Sequence, residues 1–273
     1  ALAQRLGISP TELREAFVAH LGLTPKVYGG ALHKHIQRQI QACKGLPQLT
    51  FTLPVRKPFD ARWVFEFLAK RALPGLEEVE NGCYRRRLQA DAWLSVRSVS
   101  GALEVSLPRS CRARSTELLG RVGHVFDTNA DPKTIDRKLK DEPWLAEKVT
   151  GGIRVPGAWD GFETAVRAIL GQQVSVARAR DLAIDLMHRF GDGDFPIPEA
   201  LVDADVSAIG MPGKRGAAVR ALAQAVVSGE LTLDNGADAD SQFAALCALP
   251  GIGPWTAGYV AMRIGGDANA FPR

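Results

Sequence analysis

The residues with the most chemical potential in this 273-residue chain lie at 242–264, QFAALCALPGIGPWTAGYVAMRI. The pattern predicts an apolar helix ending at Leu249, a tight turn through Pro250-Gly251-Ile252-Gly253, and a second helix beginning near Pro254. Two glycines permit positive φ and a close backbone approach. The first amides of the second helix then point outward from its positive dipole end, which suits a phosphate. Ile252 would plug the space between the helices. A helix-hairpin-helix of this kind grips a nucleic-acid backbone without reading bases, through Gly251, Ile252, Gly253 and Thr256. The plainer alternative is a glycine-rich connection that only packs.

Two further segments could act beside it. In 157–177, GAWDGFETAVRAILGQQVSVA, an amphipathic helix from Asp160 to Leu170 stops at Gly171 and exposes Gln172 and Gln173 before Ser175 caps the next helix. Two amides at such a turn could fill a vacated base position and hydrogen-bond the orphaned partner, or could simply be solvated. In 209–226, Lys214 and Arg215 stand beside glycines at a helix start, a second place for a phosphate contact.

The elements that must position these groups fall into three parts. Residues 1–45 carry a helical run, a break at Gly7-Ile8, and a second helix that Ser9 caps, with Pro10 and Glu12 completing the signal. Leu13, Phe17 and Leu21 recur at helical spacing, so the segment has the form of a helix-turn-helix, and 31–44 reads as a basic helix. His33 and His35 are two apart, off a common helical face, which argues against a metal site. Residues 46–130 read as an α+β layer: a strand at 49–55, a helix after Asp60 with Trp63, Phe67 and Leu68 on one side, and a hairpin of 93–99 with 102–107 across Ser100-Gly101. From Asp131 to 273 every periodic segment is helical, with stripes at Phe162, Val166, Ile169 and Leu170, at Leu182, Leu186 and Phe190, and at Val219, Leu222 and Val226.

Composition excludes several classes. Hydrophobic residues make up 46% and charged residues 23%, as in ordinary globular proteins. No run approaches the length of a membrane span, and no secretory signal precedes the first helix. Cys43, Cys83, Cys111 and Cys247 lie far apart, fitting neither a disulfide framework nor a zinc or iron–sulfur site, so reduced thiols in a cytoplasmic protein are expected. The three parts carry +4, +4 (counted over 46–150) and −4, and the basic front half is compatible with a polyanion or with solvated surface charge. A grip made of amides explains how an acidic helical part could still hold nucleic acid.

Taken together, PFD…FLAKRA at 58–72, FETAVRAILGQQVSVA at 162–177, IGMPGKR at 209–215 and LPGIGPWTAGYVAMR at 249–263 resemble one family. It is the helix-hairpin-helix DNA glycosylases, in their 3-methyladenine DNA glycosylase II (AlkA) branch. The segment in front, with GLTPKVY closing one unit, resembles the helix-turn-helix of AraC/Ada-type regulators, which can read DNA; with one unit in view, a relic that only packs is the other reading.

The resemblance implies a TATA-binding-protein-like α+β domain, then an all-α helix-hairpin-helix domain, with a base pocket between them. It implies hydrolysis of the N-glycosidic bond of flipped, alkylated bases in double-stranded DNA, by a monomer with no cofactor beyond a monovalent cation at the hairpin. Trp255 stands where lyase-active relatives carry a lysine nucleophile, so the expected activity is monofunctional. Trp255, Tyr259, Phe67 and Arg71 would form an electron-rich pocket for a cationic base, although Phe67 and Tyr259 could equally be core. Gln172 and Gln173 take the place of the family's wedge, with Gln173 where its type example has leucine. The family's catalytic aspartate maps two residues beyond Arg273, so no visible residue is assigned that role and residues 1–273 are expected to be inactive. The competing reading is a regulator of the alkylation response whose glycosylase-like half binds without cutting.

Overall fold

The computed structural model describes residues 3, 9–21, 25–90, 92–234, 239–264 and 272. The chain opens with α1 (Pro10–Leu21) and α2 (Pro25–Ala42). Ser9 caps α1 reciprocally: its Oγ accepts from the Glu12 amide at 3.1 Å while its own amide donates to the Glu12 carboxylate at 2.7 Å. Leu2, Leu6, Gly7 and Ile8, on which the first helix of the expected helix-turn-helix rests, lie outside the described residues. The segments around GLTPKVY and 31–44, read separately above, belong largely to the single helix α2. Ile36, Ile40 and Cys43 of that region bury against the sheet that follows.

That sheet has five antiparallel strands in the order β1-β5-β4-β3-β2: β1 (Gln48–Pro54), β2 (Glu77–Glu80), β3 (Cys83–Gln89), β4 (Ala92–Val99) and β5 (Ala102–Pro108). Alternate residues point to one buried face, so the register aligns Phe51 with Val105, Val105 with Val96, and Val96 with Tyr84 in one apolar row. Two of these strands, β2 and β3, escaped the sequence pattern. The reason is chemical: the inward positions of β3 are Tyr84 and Arg86, so CYRRRLQ does not alternate in hydrophobicity.

Between β1 and β2 runs α3 (Ala61–Ala69), capped by the Asp60 carboxylate on the Trp63 amide at 3.0 Å. Its core stripe is Val64, Phe65 and Leu68. Trp63 and Phe67, expected to share that stripe with Leu68, lie on the adjoining side, their rings 6.3 Å apart. After β5, a 3-10 turn (Arg109–Arg114) leads into α4 (Ser115–Val125), which covers the same face of the sheet through Leu118, Val122 and Val125.

Everything described beyond β5 is helical: α5 (Pro132–Lys140), α6 (Pro143–Ala146), α7 (Gly161–Leu170), α8 (Val176–Phe190), α9 (Pro198–Leu201), α10 (Gly213–Val227), α11 (Ala239–Ala248) and α12 (Pro254–Ile264). Ser175 caps α8 as the sequence predicts, and Asp160, expected to begin α7, caps it instead, its carboxylate accepting from the Glu163 amide at 2.9 Å. The predicted stripes of α7, α8 and α10 meet in a second core with Leu246, Ile252, Val260 and Ile264. Gly161 allows this packing, because a Cβ there would run into the Leu233 carbonyl. No described helix is long and apolar enough to cross a membrane.

Candidate functional site

The hairpin forms between α11 and α12 as the sequence predicts. Ile252 is buried and its amide closes the turn on the Leu249 carbonyl at 3.2 Å. Of the two glycines, only Gly251 uses positive φ (80°), and a Cβ there would stand 2.9 Å from the Ala218 side chain of α10. Gly253 faces open space, which leaves the start of α12 open to approach. Ala257 makes the first full helical bond, to the Gly253 carbonyl, so the amides before it belong to the unsatisfied first turn.

The glutamine pair divides. Gln172 is half-buried rather than exposed: its Nε2 donates to the Gly251 carbonyl at 2.9 Å and to Thr256 Oγ1 at 3.1 Å. Arg215 in turn donates to the Gln172 carbonyl at 2.7 Å. These bonds tie the α7–α8 turn, the hairpin and the start of α10 into one unit. Gln173 is exposed and takes φ of 57°, a left-handed conformation that projects it from the turn. Lys214 is exposed beside it in sequence order on α10.

Behind the hairpin lies a cavity of about 300 Å³, within the range of small-ligand sites. All four predicted pocket residues line it: Phe67, Arg71, Trp255 and Tyr259. Trp255 and Tyr259 stack in parallel, their planes 7° apart and centroids 5.7 Å apart. Trp255 remains 52% exposed, so this aromatic wall keeps surface free for a second flat ring. Across the cavity, the Arg71 guanidinium lies 3.8 Å from the Phe67 ring centroid.

Several lining residues were not anticipated. Arg263 follows Trp255 and Tyr259 at the same four-residue spacing on α12, a signal the sequence held. It is buried, with its guanidinium 4.5 Å from the Phe67 ring and 5.8 Å from the Tyr259 ring. Among the described residues its side chain donates to the Gly157 carbonyl at 3.3 Å, and its Nε finds no partner there. Burial pulls its pKa down to about 10, which still leaves it charged at neutral pH. Its carbonyl accepts from Ala158 N at 2.7 Å and contacts His124 Nε2 at 3.0 Å, tying the end of α12 to α4.

Beneath the cavity, at the seam between sheet and helices, sits a closed ionic cluster. Arg86 of β3 pairs with Glu77 of β2 at 3.0 Å and with Glu163 of α7 at 2.5 Å. Arg167 bonds Glu163 at 2.8 Å and Glu77 at 3.0 Å, and donates to the Arg71 carbonyl. Tyr84 completes the set by donating to Glu77 at 2.9 Å. Burial alone would push the Glu163 carboxyl up, but the charges of Arg86 and Arg167 outweigh it and hold the pKa at about 2. The only carboxylates lining the cavity among the described residues, Glu77 and Glu163, are thus both held by guanidinium groups. Neither is free to serve as a base.

An antiparallel α+β layer joined to a helical domain, with an aromatic-walled cavity at a helix-hairpin-helix, defines the class of helix-hairpin-helix DNA glycosylase folds. Comparison with known proteins agrees. Residues 50–160 match the AlkA N-terminal domain family. DNA-3-methyladenine glycosylase 2 of Escherichia coli is 33% identical over 229 residues, covering 78% of this chain and 80% of that protein. A Mycobacterium tuberculosis protein, named a probable bifunctional transcriptional activator/DNA repair enzyme AlkA, is 35% identical over 239 residues, covering 82% of this chain. The match takes in 48% of the latter, so this chain spans about half that relative's length. In fold, the 3-methyladenine DNA-glycosylase of Archaeoglobus fulgidus superposes with a TM-score of 0.67 at 21% identity, covering 81% of each chain. The chain belongs to the DNA-3-methyladenine glycosylase family.

Proposed function

We propose that this protein is a monofunctional DNA repair glycosylase that removes alkylated, 3-methyladenine-type bases from double-stranded DNA, acting as a monomer. The reaction hydrolyses the N-glycosidic bond: the cationic base departs with the bond's electron pair and is thereby neutralised, the water oxygen joins the sugar C1′, and the proton that water loses passes to solvent. One observation carries the reading: the cavity-lining Trp255–Tyr259 stack, half open to solvent, beside a hairpin whose amides suit a phosphate. Gly251, Ile252, Gly253 and Thr256 shape that hairpin, and Lys214 adds a cation nearby. Arg215 and Gln172 brace the assembly from within. Gln173, projecting from the turn, is the wedge that enters the gap left by the flipped base. Trp255 offers no amine, which fits hydrolysis without a covalent sugar intermediate.

The test is single-turnover release of methylated purine from damaged duplex, together with equilibrium binding to the same duplex and to its undamaged control. The expected result is preferential binding of damaged duplex that Trp255→Ala weakens, with purine release by the native-length protein. Equal binding of damaged and undamaged duplex by both variants would overturn the pocket assignment. A second activity, DNA reading by α1 and α2, draws support from the completed Ser9–Glu12 cap. Sequence-selective binding lost on deleting residues 1–21 would establish it, whereas unchanged selectivity would sink it.

A further inference from the structure

Between Glu15 and Asp60 the chain carries six lysines and arginines and no acidic residue. Without that stretch the formal charge of +4 would turn negative. Most of the stretch is α2 and β1, and the two are locked together. α2 runs along the free edge of β1: Gln39 Oε1 accepts from the Thr52 amide at 2.7 Å, and Cys43 Sγ from the Thr50 amide at 3.3 Å. Ile36, Ile40 and Cys43 are buried on that side of the helix. Arg109 then donates to the carbonyls of Cys43 and Leu46, where the helix ends. Opposite the buried stripe stand Lys34 and Arg38, one helical turn apart, and Lys44 follows the helix; all three are exposed. Four helical residues rise about as far as two strand residues, so Lys34 comes level with the end of β1, where the exposed Arg56 and Lys57 follow. None of these five is ion-paired among the described residues.

A merely solvated face usually mixes both signs of charge. The helix α5 shows that pattern: its Lys133, Arg137, Lys138 and Lys140 are broken up or followed by Asp136, Asp141 and Glu142. The ridge on α2 and β1 has no such dilution. From Lys34 to Lys44 it rises about 15 Å, the axial length of roughly four base pairs. We infer that the ridge formed by Lys34, Arg38, Lys44, Arg56 and Lys57 is a second contact surface for the phosphate backbone of duplex DNA, separate from the hairpin. The inference rests on DNA as the partner proposed above and goes beyond the base pocket and hairpin assigned there. It also differs from sequence reading by α1 and α2, because cations on phosphates carry no base information. Since α2 is fixed to the sheet edge, the ridge needs little ordering when it binds. The hairpin works through neutral amides; the ridge adds the release of counterions.

The test measures binding of the full chain at several salt concentrations. One duplex of several helical turns is used, either undamaged or carrying a single 2′-fluorinated 7-methylguanine nucleotide, whose glycosidic bond holds. Wild type is compared with the triple variant Lys34→Gln, Arg38→Gln, Lys44→Gln. A second triple variant on α5, Lys133→Gln, Lys138→Gln, Lys140→Gln, removes the same charge elsewhere. All six side chains are exposed, so both variants should keep the wild-type thermal melt. In the ridge variant the slope of log affinity against log salt should be shallower by about 2 to 3. A fourfold rise in salt would then cost wild type about 16- to 64-fold more affinity than the variant. The loss should be shared by damaged and undamaged duplex, leaving their affinity ratio within about twofold of wild type. The α5 variant should keep the wild-type slope to within about 0.5. An unchanged slope in the ridge variant, an equal fall in both variants, or a loss confined to the modified duplex overturns the inference. If wild type shows no preference for the modified duplex, the pocket reading fails instead, and the slopes still decide the ridge.

Discussion

Two sets of buried arginines stand within one cavity wall, and they solve the same problem in opposite ways. At the seam between sheet and helices, Arg86 and Arg167 share Glu77 and Glu163, and Tyr84 donates to the same cluster. On α12, Arg263 has aromatic rings for neighbours and, among the described residues, one carbonyl at 3.3 Å for a side-chain partner. The first set is closed within the protein and works as a brace. Through Arg167 it also holds the Arg71 carbonyl at the end of the segment that presents Phe67. Among the described residues, Arg263 has no acidic partner, and it faces the cavity through the rings of Phe67 and Tyr259.

The largest effect should come from breaking the closed set. Glu163→Ala leaves Arg86 and Arg167 short of a counter-charge in a buried seam, so a loss of about 3–5 kcal/mol is expected in chemical denaturation. A loss below about 1 kcal/mol would mean that the cluster relaxes into water and is no brace.

The same carboxylate should impose a pH dependence. Its folded pKa of about 2 lies below the ordinary glutamate value, so its contribution is complete above that ordinary value. The contribution is lost as pH falls toward 2. Denaturation midpoints measured from neutral pH to pH 2 should fall in wild type and follow a flatter course in Glu163→Gln. Parallel curves for the two proteins would assign the acid sensitivity elsewhere.

Trp255→Ala tests the open side of the wall. Loss of one base-stacking surface is worth about 1–3 kcal/mol, so lesion preference should drop by about 5- to 150-fold. Because Trp255 is half exposed, folding stability should stay within about 0.5 kcal/mol. The reverse pattern, intact lesion binding with lost stability, would return Trp255 to the core.

A small change in stability is also expected from Arg263→Met. Replacing a buried cation that makes no ion pair among the described residues by an apolar chain should leave stability within about 1 kcal/mol of wild type, or raise it. Its contrast with Glu163→Ala is the sharpest check on the distinction between closed and open arginines. A loss as large as that of Glu163→Ala would show Arg263 to be a structural member of the seam.

Much of the site was legible before the fold. Glycine and proline fix backbone geometry locally, so the hairpin at 250–254 and the plugged Ile252 could be read directly, as could the caps at Ser9 and Ser175. Hydrophobic period likewise located the helical stripes and three of the strands. The pocket aromatics came from motif resemblance, and the tertiary structure gathers all four predicted pocket residues around one cavity.

Other features were decided only by packing. The strand β3 hides its role because Arg86 occupies an inward position, and that arginine is tolerable only where Glu77 and Glu163 arrive from two other elements. Gln172 and Gln173 are adjacent and chemically identical, yet one is spent on the hairpin and the other projects from the turn. Arg263 lies on a readable helix, but nothing local says that it packs against the rings of Phe67 and Tyr259 in the cavity wall. Local sequence determines backbone geometry and which face of an element is apolar, because those depend on neighbours in the chain. Charge balance inside a cavity depends on which distant side chains converge there, and only the tertiary structure sets that sum.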